Sequence, residues 1–239
     1  MKIKGVFTEI MHEGLRRFKH CKLILFIVAI LFFTGCVGSA GIKTPIHATD
    51  YRDRGNIYEQ EGQYDKAISD YNKSLVINPK YTDAYNSRGN VYYNQGLYDK
   101  AISDYSKAIE INPRYAYAYR NRGLVYYKQG QYDKAIFDYN MAIEINPNYA
   151  DAYNDRGNVY YDQGQYDKAL SDYNKAIEIN PRFAYAYNNR GNTYSIQGRY
   201  DKACPDYKQA CELGDCSGYE WAKKNGFCKE QQKVESNLT

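Results

Sequence analysis

The sequence predicts an all-α fold: a solenoid of five helix-turn-helix units with a short C-terminal capping helix. Three observations carry that prediction. Gly55, Gly89, Gly123, Gly157 and Gly191 recur at intervals of 34 residues, and a fixed spacing of this length marks stacked supersecondary units. The same register aligns Ala67, Ala101, Ala135, Ala169 and Ala203, then Tyr71, Tyr105, Tyr139, Tyr173 and Tyr207, then Pro79, Pro113, Pro147 and Pro181. Near the C-terminus the pattern breaks into a cysteine-rich stretch, as the end of a stack needs a different residue set to cover its last face.

Residues 1–35 read as an address. Lys2, Lys4, Arg16, Arg17, Lys19 and Lys22 precede an apolar run from Leu23 to Phe33, the order of a secretory signal. Phe33-Thr34-Gly35-Cys36 resembles the lipobox of bacterial lipoproteins. That resemblance implies cleavage before Cys36 and lipid attachment to it, although Phe33 stands where that family usually has Leu. Val37 resembles the pattern sent to the outer membrane. The alternative is an uncleaved single-pass inner-membrane anchor, because Leu23 to Ile42 is 20 residues without a charge, the length that spans a bilayer. In both readings the Lys and Arg excess stays inside and the repeats lie on the outer, periplasmic side, with the outer-membrane lipoprotein favoured. Residues 36–47 are then a tether, and translation starts at Met1 or Met11.

The first 35 residues hold six Lys or Arg and two Glu, so the formal net charge of +4 belongs to them, while residues 36–239 carry 26 charges of each sign. A neutral body lacks the basic footprint that phosphate contacts demand. Nucleic acid is not an expected partner.

Each unit reads as two helices of about 13 residues. In the second, helix A is expected from about Thr82 to Gln95 with Gly96 as a left-handed cap, and helix B from Asp99 to Ile111 with Pro113 ending it. Glycine at unit position 8 and alanine at position 20 let the helices approach, and tyrosines at positions 11, 17 and 24 fill the space around them. These small, aromatic and proline positions resemble those of the tetratricopeptide repeat family over about 170 of the 239 residues. The resemblance implies a right-handed superhelical solenoid with units at 48–81, 82–115, 116–149, 150–183 and 184–217. One position departs from the family: Arg54, Arg88, Arg122, Arg156 and Arg190 precede the glycines, each matched by Asp70, Asp104, Asp138, Asp172 or Asp206 on helix B. A charge so close to a packed glycine needs a counter-charge, which predicts an ion pair within every unit.

The resemblance further implies a non-catalytic protein-protein interaction scaffold that holds a peptide or protein segment on the concave surface formed by helices A. The candidate groove residues are then Arg52, Asn56, Asn86, Asn90, Tyr93, Arg120, Asn121, Tyr127, Lys128, Asn154, Asp155, Asn158, Tyr161, Asn188 and Asn192. Asparagine at position 9, replaced by Leu124 in the third unit, either grips a peptide backbone through an amide that donates and accepts or is filler on a polar face. Tyr93, Tyr127 and Tyr161 either offer contact area or pack between helices. Arg120 and Lys128 belong to the third unit and Asp151, Asp155 and Asp162 to the fourth, which points to a ligand with a basic side chain near the fourth unit. Arg52 and Asn56 match the start of the family's carboxylate clamp, but Ser87, Tyr117 and Asn121 occupy the places that complete it, so chaperone tails are not expected. The alternative function is a structural assembly factor of an envelope complex, such as a pilus or secretion apparatus, acting by lateral stacking or self-association.

Residues 218–228 are expected to form the capping helix, with Ser217 as N-cap, Tyr219, Trp221 and Ala222 on its covering face, and Gly226 at its end. Cys204 and Cys211 are seven residues apart on one helix, a rise of ~10.5 Å that a direct bond cannot bridge. An antiparallel cap helix instead brings Cys216 to Cys211 and Cys228 to Cys204, in a compartment where disulfides persist. Zinc is the alternative use, without a close Cys pair of the usual spacing or a nearby histidine to support it. No metal or cofactor is expected, and residues 229–239 read as a disordered tail. No histidine follows His47 and no nucleotide-binding glycine motif occurs, so neither catalysis nor a small-molecule substrate is expected.

Overall fold

The computed structural model describes residues 47–228. The leader with Cys36, the tether up to residue 46 and the tail 229–239 lie outside the described residues. Within them the chain is all-helical: α1 (Ala48–Gln60) and α2 (Tyr64–Ile77) form the first unit, α3 (Thr82–Asn94) and α4 (Tyr98–Ile111) the second, α5 (Ala116–Lys128) and α6 (Tyr132–Ile145) the third. Then α7 (Ala150–Asp162) and α8 (Tyr166–Ile179) form the fourth, α9 (Ala184–Ile196) and α10 (Tyr200–Glu212) the fifth, and α11 (Ser217–Lys224) follows alone. Consecutive pairs stack as an all-α solenoid. No described helix is long and apolar enough to cross a membrane.

The turns follow from local chemistry. Within a unit, helix A ends where Gly96 and its counterparts take a left-handed φ, +73° at Gly96, which frees Gly96 N–H to donate to Tyr93 C=O and Leu97 N–H to Tyr92 C=O. Between units, helix B ends on an asparagine before proline. Asn112 is extended at φ −130°, the conformation a following proline imposes, and its Oδ1 accepts from Arg114 N–H at 3.0 Å. Asn78, Asn146 and Asn180 repeat this turn, so asparagine stops helix B as much as proline does.

Packing within a unit is glycine against tyrosine. A Cβ on Gly89 would lie 2.6 Å from the Tyr105 ring, and the other position-8 glycines are equally close to their tyrosines. No larger residue fits. Packing between units is a knob in a hole: Val91 seats on Ala67 and Tyr71, Val125 on Ala101 and Tyr105, and Val159 on Ala135 and Tyr139. Those three valines and Thr193, their counterpart in the fifth unit, are 0% exposed. Burying such a side chain contributes about 1.5–3 kcal/mol per joint, so stability accumulates along the stack. Ile57 occupies the same place in the first described unit and is 54% exposed.

The last hole is closed differently. Ala222 of α11 and Cys228 pack on Ala203 and Tyr207, and disulfides join Cys204 to Cys228 and Cys211 to Cys216. Ser217 does not act as the helix cap. Cys216 takes the N-cap place, and the Ser217 hydroxyl donates to Asp215 at 2.6 Å. Gly226, at φ +74°, ends the turn after α11.

Every expected Arg–Asp pair forms, and each is bidentate: Nε and Nη2 of Arg122 donate to Asp138 at 2.8 and 2.8 Å, and Arg54, Arg88, Arg156 and Arg190 repeat the fork. The remaining nitrogen reaches the preceding unit. Nη1 of Arg88 bonds Asn72, that of Arg122 bonds Ser106, that of Arg156 Asn140 and that of Arg190 Asn174. Two tyrosine rings flank each of Arg88, Arg122 and Arg156, as Tyr119 and Tyr126 do Arg122 at 5.8 and 5.9 Å. The guanidinium therefore fastens both the unit and its joint.

Candidate functional site

Helices α1, α3, α5, α7 and α9 carry the candidate residues, and their side chains bond one another along the stack. The amide at position 9 holds a tyrosine in place. Asn56, Asn90, Asn158 and Asn192 each accept, through Oδ1, the hydroxyl of the buried tyrosine of their own unit, at 2.8–2.9 Å. Neither reading of this asparagine was complete. Holding the tyrosine through Oδ1 leaves Nδ2 as a donor without a protein acceptor among the described residues.

Positions 5 and 6 form a second ladder between neighbouring units, across 35 residues. Asn121 donates to Asn86 at 3.0 Å and to Asn90 at 3.1 Å, and Asn189 donates to Asn154 at 2.9 Å and to Asn158 at 3.1 Å. Between the third and fourth units the same rung is an ion pair, Arg120 Nε to Asp155 Oδ2 at 2.7 Å, with Asp151 3.8 Å from the same guanidinium. Burial pushes the Asp155 carboxyl up, and the Arg120 guanidinium beside it offsets part of that rise. At this rung position 9 is Leu124, and the Tyr139 hydroxyl, fully buried, has no hydrogen-bond partner.

The remaining candidates sort by contact. Tyr93, Tyr127 and Tyr161 are half-buried and lean on Tyr98, Tyr132 and Tyr166 of their own units, so they line the surface and pack at once. Tyr127 donates to Asp162 at 2.6 Å. Arg52 is turned to Tyr81 and Asp53, Asn188 donates to Asp215 and Ser217, and Lys128 is exposed at the end of α5. Asp155, expected to draw a basic ligand, is taken by Arg120, whereas the Asp162 carboxylate stays exposed.

Two contiguous clefts open on this surface. One of about 270 Å³ is lined by Tyr127, Asn158, Tyr161, Asp162, Asn189 and Asn192. The other, of about 650 Å³, lies between the fifth unit and α11, against Tyr161, Asn192, Ser195, Ile196, Tyr200 and Trp221. Sequence reasoning placed Tyr161, Asn188 and Asn192 on this surface but missed Asn189 and, in the larger cleft, Ser195, Ile196, Tyr200 and Trp221. Asn189 shares position 6 with Asn121, a signal within reach, but nothing in the repeat register indicates where α11 docks.

Models of the tetratricopeptide repeat match residues 55–96, 89–130, 124–164 and 157–198, and a further one matches 184–213. The chain belongs to the tetratricopeptide repeat family. Among solved tetratricopeptide structures it is similar to MamA, at 32% identity over 71% of this chain and 96% of that one, with a TM-score of 0.59. It also resembles YrrB, described as a TPR protein with an unusual peptide-binding site, at 26% identity over 76% and 94% of the two chains and a TM-score of 0.57. TTC0263, a thermophilic TPR protein of Thermus thermophilus, shares the fold at 22% identity, 75% and 98% coverage and a TM-score of 0.62. A search of curated protein sequences finds no match. As a tetratricopeptide array the chain is a scaffold for protein-protein interaction, and its concave ladder is the surface to assign.

Proposed function

We propose that this chain is a non-catalytic, membrane-tethered scaffold of the bacterial cell envelope that holds an extended peptide or protein segment on the concave surface of its repeats. One observation carries the reading: a row of asparagine Nδ2 donors at position 9, locked by tyrosine hydroxyls. Fixed amide donors spaced along a groove suit the carbonyl oxygens of an extended backbone, and their orientation is settled before binding, which lowers the entropy cost. The described peptide-binding site of YrrB supports the same use of the fold. Tethering rests on the lipobox-like Phe33-Thr34-Gly35-Cys36, with attachment at Cys36 in the outer membrane preferred to a single-pass anchor. Two disulfides suit the oxidising side of the membrane.

The test changes Asn90, Asn158 and Asn192 to Asp together. Aspartate keeps the oxygen that accepts from tyrosine and replaces the donor with a second acceptor. Crosslinking in intact cells followed by mass spectrometry should yield a discrete partner with the native chain and lose it with the triple variant, while circular dichroism stays unchanged. A partner captured equally by both sinks the reading. Radiolabelled palmitate should label the native chain and not a Cys36→Ser variant; equal labelling removes the lipoprotein assignment.

A second reading is self-association as a structural assembly factor of an envelope complex, favoured by the exposed Ile57 on α1. It requires association that survives the three Asn→Asp changes and is lost with Ile57→Lys, measured by analytical ultracentrifugation.

A further inference from the structure

In the second, third and fourth units the position-12 ring leans on the position-17 ring: Tyr93 on Tyr98 at 5.9 Å, Tyr127 on Tyr132 at 6.0 Å and Tyr161 on Tyr166 at 5.7 Å between centroids. The fifth unit has Ser195 at position 12. Its position-17 ring, Tyr200, stacks instead on Phe227, with centroids 4.2 Å apart and planes within 4°. Phe227 in turn lies 5.4 Å from Trp221, and the adjoining Cys228 is bonded to Cys204. At Ser195 a hydroxymethyl group stands in place of a hydroxybenzyl one, and Ser195 and Tyr200 both line the larger cleft of about 650 Å³. Its mouth carries Ile196 and Trp221, 56% and 48% exposed. Large apolar groups held open by a disulfide at a concave mouth are features of a binding pocket.

The smaller cleft adjoins it, sharing Tyr161 and Asn192. Of the residues lining it, Asp162 alone carries a charge, and its exposed carboxylate is oriented by the Tyr127 hydroxyl at 2.6 Å. Asn192, which lines both clefts, has Nδ2 left as a donor because Oδ1 holds Tyr207.

We propose that these clefts form a two-residue specificity site for a peptide bearing a basic side chain next to an aromatic one. The aromatic ring enters the cleft beside Ser195 and takes the place that Tyr93, Tyr127 and Tyr161 fill in the other units. The basic group meets Asp162, and Asn192 Nδ2 donates to a carbonyl oxygen between them. This rests on the reading of the concave surface as a peptide groove and adds the chemistry of the segment it selects.

Trp221 is the sole tryptophan, so the emission of the full chain in detergent reports on the pocket. The probe is the capped hexapeptide acetyl-Gly-Ser-Lys-Phe-Ser-Gly-amide. It should change Trp221 emission saturably, with the Lys→Ala, Lys→Glu and Phe→Ala versions at least tenfold weaker. Ser195→Tyr, which inserts the ring found in three other units, should abolish the response with the circular dichroism spectrum unchanged. Asp162→Asn should remove the preference for Lys over Ala and keep that for Phe. Equal binding of the Lys-Phe and Lys-Ala peptides, an unaltered response in the Ser195→Tyr variant, or N-acetyl-phenylalanine amide binding as tightly as the hexapeptide each overturns the proposal. If the hexapeptide fails here while crosslinking still depends on Asn90, Asn158 and Asn192, the groove stands and the pocket falls; loss of both removes the groove reading as well.

Discussion

Deleting one oxygen from Tyr139 should stabilise the array, whereas the same deletion from Tyr105 or Tyr173 should weaken it. The three residues occupy one position, are 0–1% exposed and pack against equivalent glycines. They differ in the hydroxyl alone: Tyr105 donates to Asn90 at 2.8 Å and Tyr173 to Asn158 at 2.9 Å, while Tyr139 has no partner because Leu124 replaces the asparagine. A buried hydroxyl without a partner costs about 1–3 kcal/mol, and a made hydrogen bond contributes about 1 kcal/mol net. Tyr139→Phe should therefore gain about 1 kcal/mol or more, and Tyr105→Phe and Tyr173→Phe should each lose about 1 kcal/mol. For a folded body of this size that separates the melting temperatures by roughly 4–8 °C, at 2–4 °C per kcal/mol. Thermal unfolding followed by circular dichroism at 222 nm, with urea midpoints as a second measure, resolves the difference. Equal losses at Tyr139 and Tyr105 would refute the reasoning, since they would mean that Leu124 leaves no hydroxyl unpaired.

The remaining predictions use the same internal controls. Asp138→Asn should cost about 3 kcal/mol because it strands Arg122, whose side chain is 16% exposed, and Asp70→Asn should cost less than half as much because Arg54 is 50% exposed; urea midpoints compare the two. The hydrogen bond from Arg54 holds the Asp70 carboxyl below its ordinary value. Its contribution is complete above the unfolded value of about 3.9 and lost as pH falls through the folded value, so Asp70→Asn should lessen the fall of stability with acid below pH 4. Reducing the Cys204–Cys228 bond, which spans 24 residues, should cost about 3 kcal/mol and free the cap first, seen as a red shift of Trp221 emission before helix content falls. Gly218→Ala should cost at least ~2 kcal/mol, because its Cβ would collide with Asn188 Oδ1 and the Tyr207 ring, again by urea midpoint.

The fold was legible because its strictest requirements are steric and recur. A ring 2.6 Å from a virtual Cβ at Gly55 or Gly89 permits only glycine, and 34-residue spacing repeats that restriction until no other reading remains. The Arg–Asp forks were legible for a related reason, since both partners belong to one unit and recur with it. What escaped were contacts that depend on how far one unit is displaced against the next. That Asn121 reaches Asn86, or that Arg156 reaches back to Asn140, follows from the pitch of the stack, which no single unit encodes. Ser195 at position 12 was passed over, because its place in a cleft depends on α11 folding back to bring Trp221 to the same cleft.

Leu124, Arg120 and Asp155, which look unrelated in the sequence, fall on one rung of the ladder. In the second and fourth units, position 9 accepts from the position-6 asparagine that follows it, as Asn90 does from Asn121 and Asn158 from Asn189. Asp155 at that position has no N–H to give, and the position 9 that it follows is Leu124. A carboxylate pressed into the joint also needs a cation, which position 5 supplies as Arg120 at 2.7 Å. Changing Arg120 or Asp155 alone leaves the partner's charge unpaired, so those two are coupled. The result is a charge-assisted rung in a ladder of neutral ones, and at the same rung Leu124 leaves the Tyr139 hydroxyl unpaired. It lies at the joint of the third and fourth units, beside the Tyr127–Asp162 contact that borders the smaller cleft. The Tyr127 hydroxyl, donating to Asp162 at 2.6 Å, orients that exposed carboxylate at the edge of the cleft.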